Sequence, residues 1–521
     1  MVKTSGENRP VLVIDFGGQY GHLIARRFRE LGYRVTHLPA KTVKGAGVRE
    51  VTAEVAGVVL SGGPASVWES MHDDIVRAVL NTGIPMLGIC YGHQLLAKML
   101  GGRVSKAPKP EFGPTEVRIL RPEDPIFKGF HSDRILVWMS HNDAVITPPP
   151  GAEVLAVSEG SPVAAMRVGD RIYGVQWHPE VSHSQYGSRL LMNWAEISGI
   201  PRGWGESEIL NLAVQTLKEQ IAGLEGGARV ISAVSGGVDS TVATVLAEKY
   251  SELDIIPVLL EHGLHPAGWV EDTVDALRSL GIEVVVVDVS DRFLDALKGL
   301  TDPEVKRKVI SRLYFDELHR IAKEYNAKGL IQGTIYPDVI ESGGLPGADR
   351  IKTHHNIGHR EAAHGLIIIE PLRWLYKDEV RRLGRMLGIP DSILNRQPVP
   401  GPGLAVRIEG EVTREKVEVV RRADAIVREV IRNHKLEEGL WQYFAILTGS
   451  RATGVKGDRR EYGYVIAVRA VESSEAMTAR AARLPWEVLE EIMVRITREV
   501  PGVTRVLYDL TSKPPATIEW E

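Results

Sequence analysis

Only one cysteine, Cys90, occurs in the 521 residues. No intramolecular disulfide can therefore form, and a cysteine-built metal site is excluded. Apolar runs stay well short of the roughly 18 residues that a membrane-spanning helix requires. The stretch Met1–Pro10 is short and polar and lacks the apolar core of a secretory signal, so a cytoplasmic protein is expected. An excess of positive charge is missing too: the formal net charge is -4, which leaves no basic footprint for duplex nucleic acid. There is no internal repeat and no low-complexity tract. Hydrophobic residues at 44% and charged residues at 25% describe a globular chain, not a disordered one. The length calls for about two to four domains.

What is present is an alternation of short apolar runs with amphipathic stretches. Val11–Ile14, Gly57–Leu60 and Ile84–Ile89 read as buried strands, and His22–Leu31 reads as a helix stopped by Gly32. Continuous apolar runs between helices predict a mainly parallel sheet covered on both faces. Beyond about residue 110 the turn signals Pro148–Gly151 and Val168–Asp170 suggest antiparallel strands. Gly199–Gly205 reads as a break and a candidate hinge. A second α/β pattern follows, with strands at Arg229–Val234, Ile255–Leu260 and Glu283–Val289 and helices at Ser207–Leu224 and Thr241–Lys249. Residues 341–365 are rich in glycine and histidine and read as a loop or lid. Gln397–Gly403 marks another boundary, after which Leu404–Ile408, Lys416–His434, Tyr462–Val471, Pro485–Glu499 and Val503–Leu510 mix strand and helix. The expectation is an α/β protein with two doubly wound domains, 8–200 and 205–397, and a smaller α+β domain, 398–521.

A lone cysteine is ordinarily a small buried hydrophobe. Gly88-Ile-Cys90-Tyr-Gly92, however, follows an apolar strand and opens a helix running to Leu100. That is the cysteine form of a nucleophile elbow: flanking glycines admit the crowded backbone, and a helix N-terminus favours the thiolate. A nucleophile needs a base and a group to orient the base. Gly174-Val-Gln-Trp-His178-Pro-Glu180 supplies both, since an extended segment sends residues two apart to the same side.

On these residues, 10–195 resemble class I, or triad, glutamine amidotransferases. The resemblance implies Cys90 as nucleophile, His178 as general base and Glu180 as its orienter. It also implies that Ser61-Gly62-Gly63-Pro64 is the oxyanion loop, with backbone N–H groups near Gly63 and at Tyr91 meeting the tetrahedral intermediate. Gln94 and the backbone around His141, Asn142 and Asp143 would hold glutamine, Asn142 standing where the family usually has glycine. The product would be glutamate and ammonia.

Ser235-Gly236-Gly237-Val238-Asp239-Ser240-Thr241 lies between the second domain's first strand and the next helix. Its glycines let backbone N–H groups approach phosphate, and the helix N-terminus favours negative charge. It lacks the Walker lysine. It is similar to the PP-loop of N-type ATP pyrophosphatases, which leave AMP on a substrate oxygen; Asp239 is then an implied magnesium ligand. Adenylation creates a leaving group that ammonia can displace, so the two halves together imply an amide- or amine-forming ligase.

Further stretches resemble the GMP synthetase family across the whole chain: Gln332–Asp338 with Val339–Ser342, Lys352–Asn356, Glu370–Arg373 with Lys377–Arg381, Pro400–Arg407 and Lys513–Glu521. The resemblance implies ATP and Mg2+ and, as substrates, glutamine and xanthosine monophosphate (XMP). Lys377 would approach the pyrophosphate. Lys513 would meet the XMP phosphate, Thr517, Ile518 and Glu519 the purine, and Arg307 the phosphate as well. The family's C-terminal domain implies a homodimer; no nucleic acid or membrane partner is expected. The chain departs from the family at Glu261-His-Gly-Leu-His-Pro266, where acidic-x-Gly-Leu-Leu-Arg is usual. It departs again at Gln397, where histidine is usual, and at Ile357–Glu361. Two other readings remain. One is an adenylating amidotransferase with a different acceptor such as an RNA base, opposed by the near-neutral charge. The other is a non-catalytic nucleotide-binding regulator, opposed by the intact Cys90, His178, Glu180 and Asp239.

Overall fold

A computed structural model describes residues 9–69, 72–341, 365–473 and 478–521. The expected lid, including Lys352–Asn356 and Ile357–Glu361, lies outside the described residues. The chain forms two compact units: among the described residues the first comprises 9–209 with 337–341, and the second comprises 210–336 and 365–521.

The first unit is built on a nine-stranded sheet. Five strands, Val35–Pro39, Val11–Asp15, Gly57–Leu60, Met86–Ile89 and Ile172–Val175, lie side by side and parallel. Gly57–Leu60 and Met86–Ile89 are buried along their whole length. That burial is why they read as unbroken apolar runs. The helix Gly21–Glu30 covers the sheet with Leu23, Ile24 and Phe28, and the chain leaves it through Gly32 at φ +86°. The sheet continues with antiparallel strands at Ala165–Val168, Ala152–Val157, Arg103–Ile119 and Arg134–Thr147. The glycine-rich break at 199–205 is fastened down: the amides of Gly203 and Trp204 both donate to the Gly32 carbonyl at 2.9 Å. Arg29 also stacks 4.5 Å over the Trp204 ring.

In the second unit a five-stranded sheet is parallel throughout. Its order is Val285–Asp288, Asp254–Glu261, Arg229–Ala233, Gly329–Ile331, Ile367–Ile369. The later segment folds as a four-stranded sheet in which Arg459–Glu472 pairs with Gln442–Lys456, Arg480–Ala481 and Val503–Tyr508. Gly457 and Asp458, both at positive φ, turn the hairpin. Helix Arg414–Asn433, capped by the Thr413 side chain, buries Val417, Val420, Val427 and Ile431. These side chains share one core with Leu264, Phe293 and Leu297, so the change of sheet after 397 crosses no gap in the packing. Leu404–Ile408, read as a regular element from its apolar run, is a 3-10 helix, Gly403–Arg407. Gly403 sits at φ +59°, and an added Cβ would meet the Leu264 carbonyl oxygen at 2.3 Å. That close approach, with the positive φ, is what requires glycine at the start of this turn.

No helix among the described residues is long and apolar enough to cross a membrane.

Candidate functional site

Three adjacent parallel strands end together in the first unit, with Leu60 paired to Gly88 and Ile89 to Val175. The residues that follow them are Ser61–Gly63, Cys90 and Gln176–Glu180. Cys90 holds φ 53° and ψ −107° at the start of helix Tyr91–Met99, a conformation that side-chain-bearing residues avoid. The flanking glycines make the turn possible. A Cβ on Gly88 would lie 2.6 Å from the Gly92 oxygen, and one on Gly92 would lie 2.3 Å from the Leu60 oxygen.

Around the sulfur, the Ser140 carbonyl oxygen is 3.6 Å away and Gln176 Nε2 is 3.8 Å away. His178 Nδ1 donates to Glu180 Oε1 at 2.7 Å, which leaves Nε2 for the cysteine. Glu180 is fully buried, and Arg27 Nε donates to its backbone oxygen at 2.9 Å. Burial opposes a charge on His178, but the Glu180 carboxylate and the Cys90 sulfur outweigh it and hold the imidazole well above its ordinary value. The edge of the Tyr20 ring packs on His178.

The glycine loop closes one side. Ser61 Oγ accepts from the Phe16 amide at 3.0 Å and donates to the Gly62 oxygen at 2.8 Å. Gly62 faces the triad so closely that a Cβ there would lie 3.0 Å from His178 Cε1, and one on Gly63 would lie 3.0 Å from the Tyr91 ring. On strand Arg134–Thr147, alternation turns His141 and Asp143 inward and leaves Asn142 exposed. Gln94 Nε2 donates to the Asp143 oxygen at 2.6 Å and to Gln176 Oε1 at 3.3 Å. His141 Nε2 donates to Glu111 Oε2 at 3.0 Å. Burial pushes the Glu111 carboxyl up, but His141, the Gly160 amide and Ser158 bring it below the usual range.

In the second unit the loop Ser235–Gly237 leads into helix Val238–Tyr250. Ser240 Oγ accepts from the Ser235 amide at 3.2 Å and donates to the Gly237 oxygen at 3.1 Å. Gly236, at φ +79°, has no room for a side chain: a Cβ would meet Trp269 Nε1 at 2.4 Å. Lys377, first residue of helix Lys377–Met386, reaches Asp239 Oδ2 at 2.6 Å. Asp239 Oδ1 is buried and has no hydrogen-bond partner among the described residues, as suits an oxygen able to take a magnesium ion. Arg396 donates to the Gly236 oxygen at 3.0 Å and to Thr273 Oγ1 at 2.8 Å and stacks on Trp269. Burial lowers its pKa to about 10, which still leaves it charged at neutral pH.

The tail residues are also anchored. Lys513 exchanges backbone hydrogen bonds with Ala479. Arg469 donates to the Thr517 oxygen at 2.7 Å and the Ile518 oxygen at 2.8 Å. Glu519 forms a two-pronged pair with Arg407 and accepts from Gln442 Nε2 at 2.8 Å. Arg307, on helix Pro303–Glu324, reaches the tail two residues further on, at the Glu521 backbone oxygen.

Five residues in these sites were given no role by the sequence reading: Gln176, Glu111, Arg396, Arg407 and Arg469. Gln176 could have been found, because it shares the two-residue period of His178 and Glu180.

Comparisons with known proteins give the family of this chain. The family "Glutamine amidotransferase class-I" matches residues 12–197, and "GMP synthase C terminal domain" matches residues 429–520. A curated protein from Aeropyrum pernix named GMP synthase [glutamine-hydrolyzing] is 57% identical over 511 residues, 98% of this chain and 98% of that one. Proteins of the same name from Thermus thermophilus and Pyrobaculum aerophilum are each 48% identical over 98% of this chain, covering 100% and 99% of their own lengths.

Proposed function

This chain belongs to the glutamine-hydrolysing GMP synthase family, and from that premise we propose that Cys90, His178 and Glu180 release ammonia from glutamine while the Ser235–Ser240 loop and Lys377 adenylate XMP. The enzyme is a ligase that makes GMP with nitrogen drawn from glutamine and energy from ATP. The observation that carries the residue assignments is the 2.7 Å His178–Glu180 pair beside a cysteine at φ 53°.

In the first reaction the Cys90 thiolate attacks the glutamine carboxamide. His178 gives its proton to the departing ammonia, and a thioester remains. His178 then takes a proton from water as it attacks the thioester, and glutamate leaves. Glu180 keeps the imidazole oriented. The Gly63 and Tyr91 amides stabilise the oxyanion. Gln94, His141, Asn142 and Asp143 shape the glutamine pocket.

In the second reaction XMP O2 attacks the α-phosphorus of ATP and pyrophosphate leaves. The amides of Gly236, Gly237 and Val238, with the Ser235 and Ser240 hydroxyls, cradle phosphate oxygens. Lys377 offsets the charge that builds on pyrophosphate. Asp239 is the residue to hold Mg2+, which when bound neutralises triphosphate charge. Ammonia adds at C2 and AMP departs. Lys513 and Arg307 are assigned to the XMP phosphate, and Thr517, Ile518 and Glu519 to the base.

The chain is further proposed to work in the cytoplasm as a homodimer joined through its C-terminal sheet. That reading is supported by the hairpin-tip residues Val455 and Tyr462, which are 72% and 66% exposed. Sedimentation velocity on wild type and Tyr462→Asp tests it, a monomeric wild type counting against the dimer.

Mass spectrometry of the enzyme with XMP, ATP, Mg2+ and glutamine tests the whole assignment. GMP, AMP and pyrophosphate together support it. Glutamate and pyrophosphate without GMP would mean a different acceptor.

A further inference from the structure

Strand Asp254–Glu261 ends in a turn that has been given no role in either reaction. Here the chain reads Glu261-His-Gly-Leu-His-Pro266, the stretch that departs from the family pattern. Gly263 takes φ +77°, so the chain doubles back and gathers three side chains. One ligand atom from each of Glu261, His262 and His265 lies within 4.8 Å of the others. Both imidazoles are buried, with ring centres 3.9 Å apart.

Hydrogen bonding accounts for only part of this cluster. His265 Nδ1 is buried and ion-paired with Glu261 Oε1 at a long 3.5 Å, and among the described residues it has no closer hydrogen-bond partner. The Leu264 amide meets His262 Nδ1 at 3.2 Å, a long contact that metal ligation would release. A buried ring nitrogen held only by so long a contact is weakly satisfied, and its lone pair is what a metal ion takes.

The surroundings hold the turn in place. Arg421 donates to the His265 oxygen at 3.1 Å and to the Gly263 oxygen at 2.6 Å. The Leu404 amide donates to the Leu264 oxygen at 2.8 Å, and Leu264 is part of the core. The Gly263 amide donates to Glu261 Oε1 at 2.6 Å, the kind of outer contact that orients a metal-binding carboxylate. On the open side a cavity of about 510 Å³, bordered by Glu261, His265, Glu271 and Glu418, leaves room for water to complete a coordination shell.

We propose that Glu261, His262 and His265 form a site for a divalent transition metal, zinc in the first place, separate from the magnesium position at Asp239. Two imidazoles and one carboxylate are a zinc, cobalt or nickel donor set, whereas magnesium takes oxygen ligands. The rings lie 24° from parallel, so one must turn about its Cβ–Cγ bond for both lone pairs to meet one ion. The ion's role is structural. It would fix the turn that closes strand Asp254–Glu261, which Arg421 of helix Arg414–Asn433 already grips.

The test uses the full chain carrying Cys90→Ala, so that no thiol competes. Stripped with chelator, it is titrated with Co2+ and then Zn2+, followed by visible absorption and calorimetry. One equivalent of Co2+ is expected, with ligand-field bands that Zn2+ displaces and millimolar Mg2+ leaves unchanged. His265→Gln and Glu261→Gln should each weaken binding by at least about tenfold, and the exposed control His131→Gln should not. Zn2+ should raise the melting temperature of the parent but not of His265→Gln. Absence of Co2+ binding to the parent overturns the proposal. So does undiminished affinity in both His265→Gln and Glu261→Gln, each checked as folded by circular dichroism.

Discussion

Lys377 Nζ and Asp239 Oδ2 meet at 2.6 Å across 138 residues of sequence. ATP with its magnesium would divide them, the carboxylate turning to the ion and the ammonium to the phosphates. Lys377→Met should therefore lower pyrophosphate release by about a hundredfold or more, with ammonia supplied directly as nitrogen source. Glutamine hydrolysis should survive. Pyrophosphate release at the wild-type rate would remove Lys377 from the mechanism.

Cys90 is the only thiol in the chain and belongs to the first unit alone. Cys90→Ala should abolish GMP formation from glutamine and leave formation from ammonium chloride near the wild-type rate. Chromatographic assay with each nitrogen source separates the two. A folded Cys90→Ala protein that fails with both would mean that the sulfur also serves the second reaction.

The His178–Glu180 pair carries a pH signature. Burial disfavours charge on His178, yet Glu180 and Cys90 hold its folded value well above 6.5. A proton bound more tightly in the folded state contributes stability fully below the unfolded value of about 6.5, and that contribution fades as pH rises through the folded value. Glu180→Gln removes the chief source of the elevation. Its stability deficit in urea should be largest near about pH 6 and shrink toward alkaline pH, each lost unit amounting to about 1.4 kcal/mol. A deficit that does not change with pH would assign the loss to packing.

The glycines beside the nucleophile make a steric prediction. A Cβ on Gly92 would lie 2.3 Å from the Leu60 oxygen, a backbone atom in a buried strand. Gly92→Ala should cost about 1–3 kcal/mol by overpacking and move Cys90 off its position. Denaturation with urea gives the first number and glutaminase assay the second. A variant as stable and as active as wild type would show that the elbow has slack.

Such local features were legible because each is written in a few consecutive residues. Gly88–Gly92 specifies a turn, and His178 and Glu180 announce a shared face by their spacing. Glu111 and Arg396 were not legible, since their roles arise from pairing between distant segments. Arg396 meets Gly236 across 160 residues. Glu111 reaches His141 only through the register of Arg103–Ile119 against Arg134–Thr147, and the first of these strands contains three prolines that conceal it. Leu404–Ile408 reads as a regular element without revealing its type; it is a short 3-10 helix, Gly403–Arg407, opened by a glycine packed against the Leu264 carbonyl.

Arg407 supplies the most demanding prediction. Its guanidinium is fully buried and lies 4.1 Å over the Phe444 ring. Nε and Nη2 each meet a Glu519 oxygen at 3.0 Å, while Nη1 approaches Asp424 at 3.4 Å. The pair therefore sets the orientation of a carboxylate assigned to the XMP base. Lysine keeps the charge but has no planar fork, so Arg407→Lys should raise the KM for XMP by at least about tenfold while leaving glutaminase kcat unchanged. Arg407→Ala strands two carboxylates near the core and should cost about 3–5 kcal/mol. Steady-state kinetics at varied XMP, with unfolding curves for both variants, separates orientation from stability. If Arg407→Lys loses stability as Arg407→Ala does and keeps the wild-type KM, Arg407 is a structural residue only.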